Sequence, residues 1–136
     1  QVYTAASAIR WAIDLGLVSA ADQLDPVAET VDSSDGVLCV PALAGLAAPW
    51  WDAQATAALT GMTLSSGRGH LVRALLEGIA AQVASLTALV GDDLGTPLTR
   101  LRVDGGLTRS QVLMQAQADL AQLPVDVFSS AHAIPL

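Results

Sequence analysis

Residues 101–110 contain an apolar strand, a paired-glycine turn at Gly105 and Gly106, and the first residues of a helix. A strand that ends at such a turn and continues as a helix presents backbone amides and a helix N-terminus at the edge of a sheet, an arrangement that can hold a nucleotide. Paired glycines also occur in turns that only connect two elements. Evidence from the rest of the chain is therefore needed to distinguish a nucleotide-binding turn from one that only connects a strand to a helix.

The residue types that most often catalyse reactions or bind metals lack partners in this sequence. His70 and His132 have no nearby pattern of Asp, Glu or Cys, so neither indicates a metal site or a general base. The single cysteine, Cys39, has no second cysteine with which to form an internal disulfide, and we interpret it as a small core residue of a strand. The sequence predicts no catalytic residue and no metal ligand within the chain.

The spacing of apolar residues predicts four helices, over residues 4–16, 25–31, 66–90 and 108–122. Gly16 is expected to end the first helix, and Asp25 and Ser66 are expected to cap the N-termini of the second and third. Thr108 and Gln111 have the spacing of a capping box at the start of the fourth helix. These helices are the elements that must position any binding turn.

Strands are predicted at residues 37–40, 101–103 and 124–128, with a short strand or a turn at 58–62. Strands that alternate with long helices indicate an α/β fold with parallel neighbours. The predicted fold class is therefore helix-rich α/β with a thin, mostly parallel sheet. The sheet has too few strands to be complete, and the chain starts at Gln1 and stops just after a strand, so we expect a piece of a larger domain.

Composition excludes several classes of protein. With 136 residues, 52% apolar and 14% charged, the chain is sized for one folded domain or part of one and is not disordered. The formal net charge of −7 argues against nucleic acid or an anionic membrane as a partner. No apolar run is long enough for a membrane span and no secretory signal pattern is present, so a cytoplasmic protein is expected.

Several blocks of sequence occur together in one order: AASAIRW, VPA, GLAAPWWD, AALTGM, HLVRALLE, RVDGG, LMQAQAD and LPV. In this order and spacing the chain resembles the FGGY family of carbohydrate kinases and, within it, the glycerol kinases. The resemblance runs over nearly the whole chain. The block from Ala57 to Glu77 resembles the second signature of the family.

The resemblance implies an ATP-dependent phosphotransferase that uses Mg²⁺ and consists of two actin-like, ribonuclease-H-like domains with a cleft between them. Residues 1–136 resemble most of the C-terminal, nucleotide-binding domain. The N-terminal sugar-binding domain, the phosphate-binding hairpin and the catalytic aspartate would then lie outside this chain. The chain alone is therefore expected not to transfer a phosphoryl group.

Nucleotide contacts of the family can be carried over to five positions. In glycerol kinases a helix supplies a glycine and, four residues later, a glutamine to the nucleotide, and these positions are Ala6 and Arg10 here. The glycine turn is kept as Gly105 and Gly106, and an asparagine near the adenine corresponds to Ser110. Two of these positions have simpler interpretations as well: an ion pair of Arg10 with the aspartate four residues later, and a solvated first-turn serine.

Two hypotheses for the function remain. The first is that the chain is part of an ATP-dependent sugar or polyol kinase resembling glycerol kinase and contributes the adenosine-binding part of the cleft, with ATP and a small polyol or sugar as partners. Mg²⁺ would be held by the phosphates and by residues outside the chain. The second is a non-catalytic remnant of such a kinase that covers its apolar surface by forming a homo-oligomer.

Overall fold

Four helices and four short strands form the fold in a computed structural model, which describes residues 4–42, 54, 56–94, 101–103, 110–121 and 125–127. The helices are α1 (Thr4–Leu15), α2 (Leu24–Ala28), α3 (Arg68–Leu94) and α4 (Gln111–Ala121). The strands are β1 (Leu38–Val40), β2 (Ala58–Thr60), β3 (Leu101–Val103) and β4 (Val125–Val127). A single 3-10 turn, Ala21–Gln23, precedes α2.

The end of α1 confirms the prediction for Gly16. This glycine has φ +89°, and its amide donates to the carbonyl of Ile13 at 3.0 Å. The amide of Leu17 donates to the carbonyl of Ala12 at 2.9 Å, which completes a Schellman motif. Glycine adopts this left-handed conformation without steric cost, so it ends the helix here.

The start of α2 differs from the prediction. The helix begins at Leu24, one residue before the predicted cap Asp25, because the 3-10 turn leads directly into it. Pro26 still lies in the first turn, where its missing N–H would have no partner within the helix. The carboxylate of Asp25 is thereby free to bind an element other than its own helix.

The start of α3 also differs from the prediction. Ser66 does not cap the helix; its hydroxyl accepts a hydrogen bond from the amide of Thr63 at 2.9 Å, within the preceding turn. Gly67 precedes the first helical residue, and its amide donates to Nδ1 of His70 at 2.9 Å. This contact is one half of a capping box, and it gives His70 a structural role at the helix start.

The core lies where α3 meets α1, α2 and α4. Residues of α3 are buried at helical spacing, as predicted, and Val72, Leu76 and Ala80 have no exposed surface. The buried cluster draws on all four helices and the segment between α1 and α2, and it consists of Ala8, Ile9, Ala12, Val18, Leu24, Ala28, Val72, Leu75, Leu76, Ile79, Ala80, Leu113 and Met114. The small alanines let the helices pack closely against one another.

The described strands form two separate pairs, whereas the sequence predicted one thin, mostly parallel sheet. β1 and β2 are antiparallel, with Cys39 opposite Leu59, whereas β3 and β4 are parallel, with Arg102 opposite Asp126. A mostly parallel sheet is therefore not confirmed for the part of the chain described here. The antiparallel pair arises because residues 58–60 form a strand, which the sequence left open between a strand and a turn.

Among the described helices, none combines the length and hydropathy that crossing a membrane requires.

Candidate functional site

The site begins at the N-terminus of α4, directly after the predicted glycine turn. Ser110 caps this helix: its Oγ accepts a hydrogen bond from the amide of Leu113 at 3.1 Å, and its carbonyl accepts one from the amide of Met114 at 3.0 Å. The predicted capping box of Thr108 and Gln111 is wrong, because the helix begins at Gln111. Thr108 itself lies outside the described residues.

Asp25 of α2 binds the same helix end from 85 positions earlier in the chain. Its Oδ1 accepts a hydrogen bond from the hydroxyl of Ser110 at 2.5 Å, and its Oδ2 accepts one from the amide of Gln111 at 2.6 Å and a longer one from Val112 at 3.4 Å. The first three amides of α4 therefore all have side-chain acceptors. A carboxylate at a helix N-terminus also interacts favourably with the helix dipole.

The other end of α2 is held by α3. The guanidinium of Arg73 donates to the carbonyl oxygens of Ala28 and Val31, the last of which lies just beyond α2. The hydroxyl of Thr30 donates to the carbonyl of Val27 at 2.6 Å. The arginine is thus directed towards the carbonyl groups at the end of α2. Through α2, the start of α4 is linked to the middle of the core.

Of the five predicted nucleotide residues, the structure describes Ala6, Arg10 and Ser110. Ser110 is buried, with 7% of its surface exposed, and its hydroxyl already donates to Asp25. Arg10 is exposed and pairs with Asp14 at 3.5 Å on the surface of α1, and Ala6 lies one turn before it in the same helix. Gly105 and Gly106 lie outside the described residues.

The core connects α1 with α4. Residues of α1 on either side of Arg10 belong to the same buried cluster as Leu113 and Met114 of α4. Each predicted position in α1 or α4 is thus carried by a helix that is anchored in one common core. The helices that carry or directly follow Ala6, Arg10 and Ser110 therefore share one core.

A groove of about 640 Å³ opens between α3, α4 and β1, close to the end of α2. It is lined mainly by apolar residues, together with the carboxylates of Glu29, Glu77 and Asp119. Arg73 also lines it, with its Nε and Nη2 atoms donating to the carbonyl oxygens of Ala28 and Val31. Neither Arg10 nor Ser110 lines this groove, although Gln111 and Val112 at the start of α4 do.

Cys39 lies half-buried in β1 at the wall of this groove. Burial raises the pKa of its thiol to about 11, because removal from water disfavours the charged thiolate. A thiol with such a pKa is a poor nucleophile near neutral pH. The interpretation of Cys39 as a packing residue agrees with this environment.

Within the described parts of the chain, no three His, Cys, Asp or Glu side chains come together as a metal site.

The contribution of Asp25 was missed by sequence reasoning. An aspartate before a proline usually caps its own helix, so this local pattern did not indicate a contact with α4. Gln117 was also missed. It is buried in α4, with 5% of its surface exposed, and its Oε1 has no hydrogen-bond partner.

Comparison with known proteins identifies relatives of this chain. The family model "FGGY family of carbohydrate kinases, C-terminal domain" matches residues 1–136. Glycerol kinases from Gloeobacter violaceus and Trichlorobacter lovleyi are each 47% identical to it over 126 residues, or 92% of the chain. The chain spans about a quarter of the length of these relatives, 25% in both cases.

Comparison with solved structures also finds carbohydrate kinases. A crystal structure of Plasmodium falciparum glycerol kinase with ADP matches 94% of the chain with a TM-score of 0.88 and 35% identity, and the chain covers 26% of that protein. Xylulose kinase from Rhodospirillum rubrum matches 90% of the chain with a TM-score of 0.75 and 38% identity, and 25% of its own length is covered. The arrangement of helices and strands described above is therefore shared with kinases of both kinds.

Proposed function

Because the chain belongs to the FGGY family of carbohydrate kinases, we propose that it is part of an ATP-dependent sugar or polyol kinase and forms the adenosine-binding side of its cleft. Glycerol is the favoured substrate, since curated relatives at 47% identity are glycerol kinases. The observation that carries the proposal is the match, with a TM-score of 0.88, to a glycerol kinase crystallised with ADP.

In this proposal the nucleoside lies beside the glycine turn that precedes α4. Without side chains, Gly105 and Gly106 let a ribose or base approach the backbone closely. Ala6 is too small to block a ligand. The ion pair between Arg10 and Asp14 is compatible with nucleotide binding by Arg10. The two side chains are 78% and 66% exposed, and an ion pair this exposed holds the arginine only weakly. Arg10 can therefore turn towards a bound nucleotide.

Ser110 has a more restricted role than a base-reading side chain. Its hydroxyl hydrogen is already donated to Asp25, and its oxygen accepts from Leu113. An asparagine at this position would have additional donor and acceptor groups for a base. We therefore propose that Ser110 stabilises the N-terminus of α4 after the turn and does not bind the adenine.

The chemistry itself would be supplied from outside these 136 residues. In the complete enzyme a substrate hydroxyl would take the γ-phosphoryl group of ATP, with ADP as the leaving group, and Mg²⁺ held by the phosphates and by residues outside this chain would supply charge neutralisation. The described residues contribute nucleoside binding and part of the surface that closes over it. By themselves they are not expected to transfer a phosphoryl group.

Calorimetry with ATP and a non-hydrolysable analogue tests the proposal. The chain should bind with a dissociation constant on the order of 1 µM to 1 mM, the usual range of enzyme KM values. Gly106→Val should abolish this binding, whereas the control Gly67→Ala should not, since a Cβ at Gly67 meets no atom closer than 3.8 Å.

The opposite result would favour the other hypothesis. A folded chain that binds neither ATP nor ADP and forms a stable dimer would be a non-catalytic oligomerising remnant. Sedimentation velocity on the same samples distinguishes the two outcomes.

A further inference from the structure

The groove of about 640 Å³ between α3, α4 and β1 is lined by none of the described residues that the family resemblance assigns to the nucleotide. We propose that this groove is a second ligand site, for a small organic cation whose apolar body lies against α3 and α4 and whose protonated amine pairs with the carboxylate of Glu77. Neither partner of the proposed kinase has this chemistry, because ATP is a polyanion and a polyol has no apolar body. The second site is therefore independent of the proposed function.

Small residues of α3 leave the space that the groove occupies. Ala74, Gly78 and Ala81 line it, and their spacing of four and three residues places them along one side of the helix. Gly78 also lets β1 approach α3 closely, because a Cβ there would clash with the carbonyl oxygen of Cys39. The volume of the groove falls within the range of about 300–1,000 Å³ that is typical of small-molecule sites.

Apolar side chains of α4 and β1 form much of the remaining lining. Val112, Ala116 and Leu120 lie four residues apart along one side of α4, and Leu38 belongs to β1. Leu38 and Leu120 are 67% and 51% exposed, so each leaves apolar surface in contact with water at this groove. A ligand that covers this surface gains free energy from its removal from water. An apolar body is therefore one part of the expected ligand.

The charged residues of the lining favour a cation. Glu29 directly follows α2, Glu77 lies on α3 and Asp119 lies on α4, so three elements bring carboxylates to one groove. Arg73 is the only cation among the described lining residues, and its Nε and Nη2 atoms donate to backbone carbonyl groups at the end of α2. The described lining thus has a formal excess of two negative charges over positive ones.

Glu77 is the carboxylate that we expect the amine to contact. It is half-buried, and within the described part of the chain it forms no ion pair. Because partial burial removes some of its hydration, a cation beside it replaces an interaction that water no longer supplies. The carboxylate of Asp119 already accepts a hydrogen bond from Gln115 at 2.8 Å, and Glu29 is exposed. These two carboxylates therefore contribute mainly longer-range attraction.

The experiment titrates the protein as it is encoded with three probes, phenylbutylamine, phenylbutanol and phenylpentanoate. They carry an ammonium, a hydroxyl and a carboxylate group at the end of the same phenylalkyl chain. In calorimetry the amine should bind with a dissociation constant on the order of 1 mM, as expected for a ligand of this size. It should bind about fivefold more tightly than the alcohol, which corresponds to one partly screened ion pair, and the carboxylate should bind more weakly than either.

Three variants locate the binding. Glu77→Gln removes the charge but keeps the size, so the affinity for the amine should fall about fivefold, to that of the alcohol, while the affinity for the alcohol is unchanged. Asp22→Asn is the matched control, because it removes one negative charge from the 3-10 turn outside the groove, and it should change no affinity. Ala81→Trp, at an exposed position of the lining, should fill the groove and weaken all three probes. It provides the test if Glu77→Gln does not fold.

Several results would overturn the inference. An amine that binds no more tightly than the alcohol, or that is unaffected by Glu77→Gln, forms no ion pair in the groove. Displacement of the amine by ADP would show that the groove belongs to the nucleoside pocket. If no probe binds and Ala81→Trp unfolds the protein, another segment of the protein itself fills the groove.

A second copy of the chain is the remaining alternative occupant. A wild-type dimer that Ala81→Trp dissociates in sedimentation velocity would show that this copy, and not an amine, covers the groove. Binding of the amine without binding of ADP would instead refute the proposed function and leave this inference standing.

Discussion

Two nitrogen atoms of Arg73, Nε and Nη2, donate hydrogen bonds to the carbonyl oxygen of Ala28 at 3.3 and 3.0 Å. Nη2 also reaches the carbonyl of Val31 at 2.9 Å. Carbonyl groups at a helix C-terminus have no partner within the helix, and a nearby cation satisfies them and offsets the negative end of the helix dipole. A single arginine thereby attaches the short helix α2 to the long helix α3.

Arg73→Met should destabilise the fold markedly, because it removes all three hydrogen bonds of a half-buried charged group. The carbonyl of Ala28 would keep only a long hydrogen bond from the amide of Val31, at 3.4 Å. We expect a loss of about 2 kcal/mol in the free energy of unfolding, the usual cost for hydrogen bonds to charged groups. Urea unfolding followed by circular dichroism measures it. Arg10→Met is the matched control, since its exposed pair with Asp14 is worth less than about 1 kcal/mol. Equal losses for the two variants would contradict this account.

Asp25 and Ser110 should be energetically coupled. Ser110→Ala removes a helix cap and should cost about 1 kcal/mol. In a double-mutant cycle with Asp25→Ala the two losses should not add, with a coupling energy of about 1 kcal/mol, because each variant removes the partner of the other. Ser19→Ala, at an exposed position, is the control that should give additive losses. Additivity for Ser110 would show that the contact with Asp25 does not contribute to stability.

These contacts mark the limit of what could be predicted from the sequence. The end of α1 at Gly16 is a local feature, set by one residue and its own helix, and its prediction is confirmed. The contacts of Asp25 with Ser110 and of Arg73 with Ala28 join residues 85 and 45 positions apart. Capping rules consider only neighbouring residues, so they placed Asp25 at the start of its own helix.

The prediction of strand pairing was limited for the same reason, because pairing also joins residues that are far apart in the sequence. Residues 58–60 are too few to show a clear alternation, and only their pairing with β1 makes them a strand. The family and its nucleotide side were predicted from the order of the sequence blocks, and the family is confirmed by the match over residues 1–136. The nucleotide contacts at Ala6, Arg10, Gly105 and Gly106 stay predictions, whereas for Ser110 we propose a supporting role in place of the predicted contact.

Gly78 should be intolerant of any side chain. A Cβ at this position of α3 would lie 2.4 Å from the carbonyl oxygen of Cys39 and 3.1 Å from Cδ of Pro41, so α3 and β1 would have to separate. Alanine normally stabilises a helix interior by about 1 kcal/mol relative to glycine. We expect the clash to exceed this gain, with a net loss of about 1–3 kcal/mol for Gly78→Ala, as for overpacked cores.

Urea unfolding again provides the measurement for Gly78→Ala. The control is Gly67→Ala, where the nearest atom is 3.8 Å from the added Cβ and the loss should stay below about 1 kcal/mol. A stabilised Gly78→Ala variant would show that helix propensity outweighs the close approach of α3 to β1.

Cys39 should react slowly with alkylating reagents, although it is only half-buried. Burial raises the pKa of its thiol from 9.0 to about 11, so the thiolate fraction at pH 8 should be about 100-fold smaller than for an unperturbed thiol. Labelling with iodoacetamide, followed by peptide mass spectrometry at Cys39, should be slow in the folded protein and fast in urea. Equal labelling rates in the two states at pH 8 would contradict the raised pKa.

The same shift predicts the direction of a change in stability with pH. The folded protein holds the proton of Cys39 more tightly than the unfolded chain does, so the contribution of this thiol is complete below pH 9. It is lost as the pH rises from about 9 to about 11, where only the unfolded chain is ionised. Other groups also titrate in this range, so the test is the difference between wild type and Cys39→Ala in urea unfolding at pH 8 and pH 10. Wild type should lose more stability than the variant over this interval, and an equal or smaller loss would show that the thiol has the same pKa in both states.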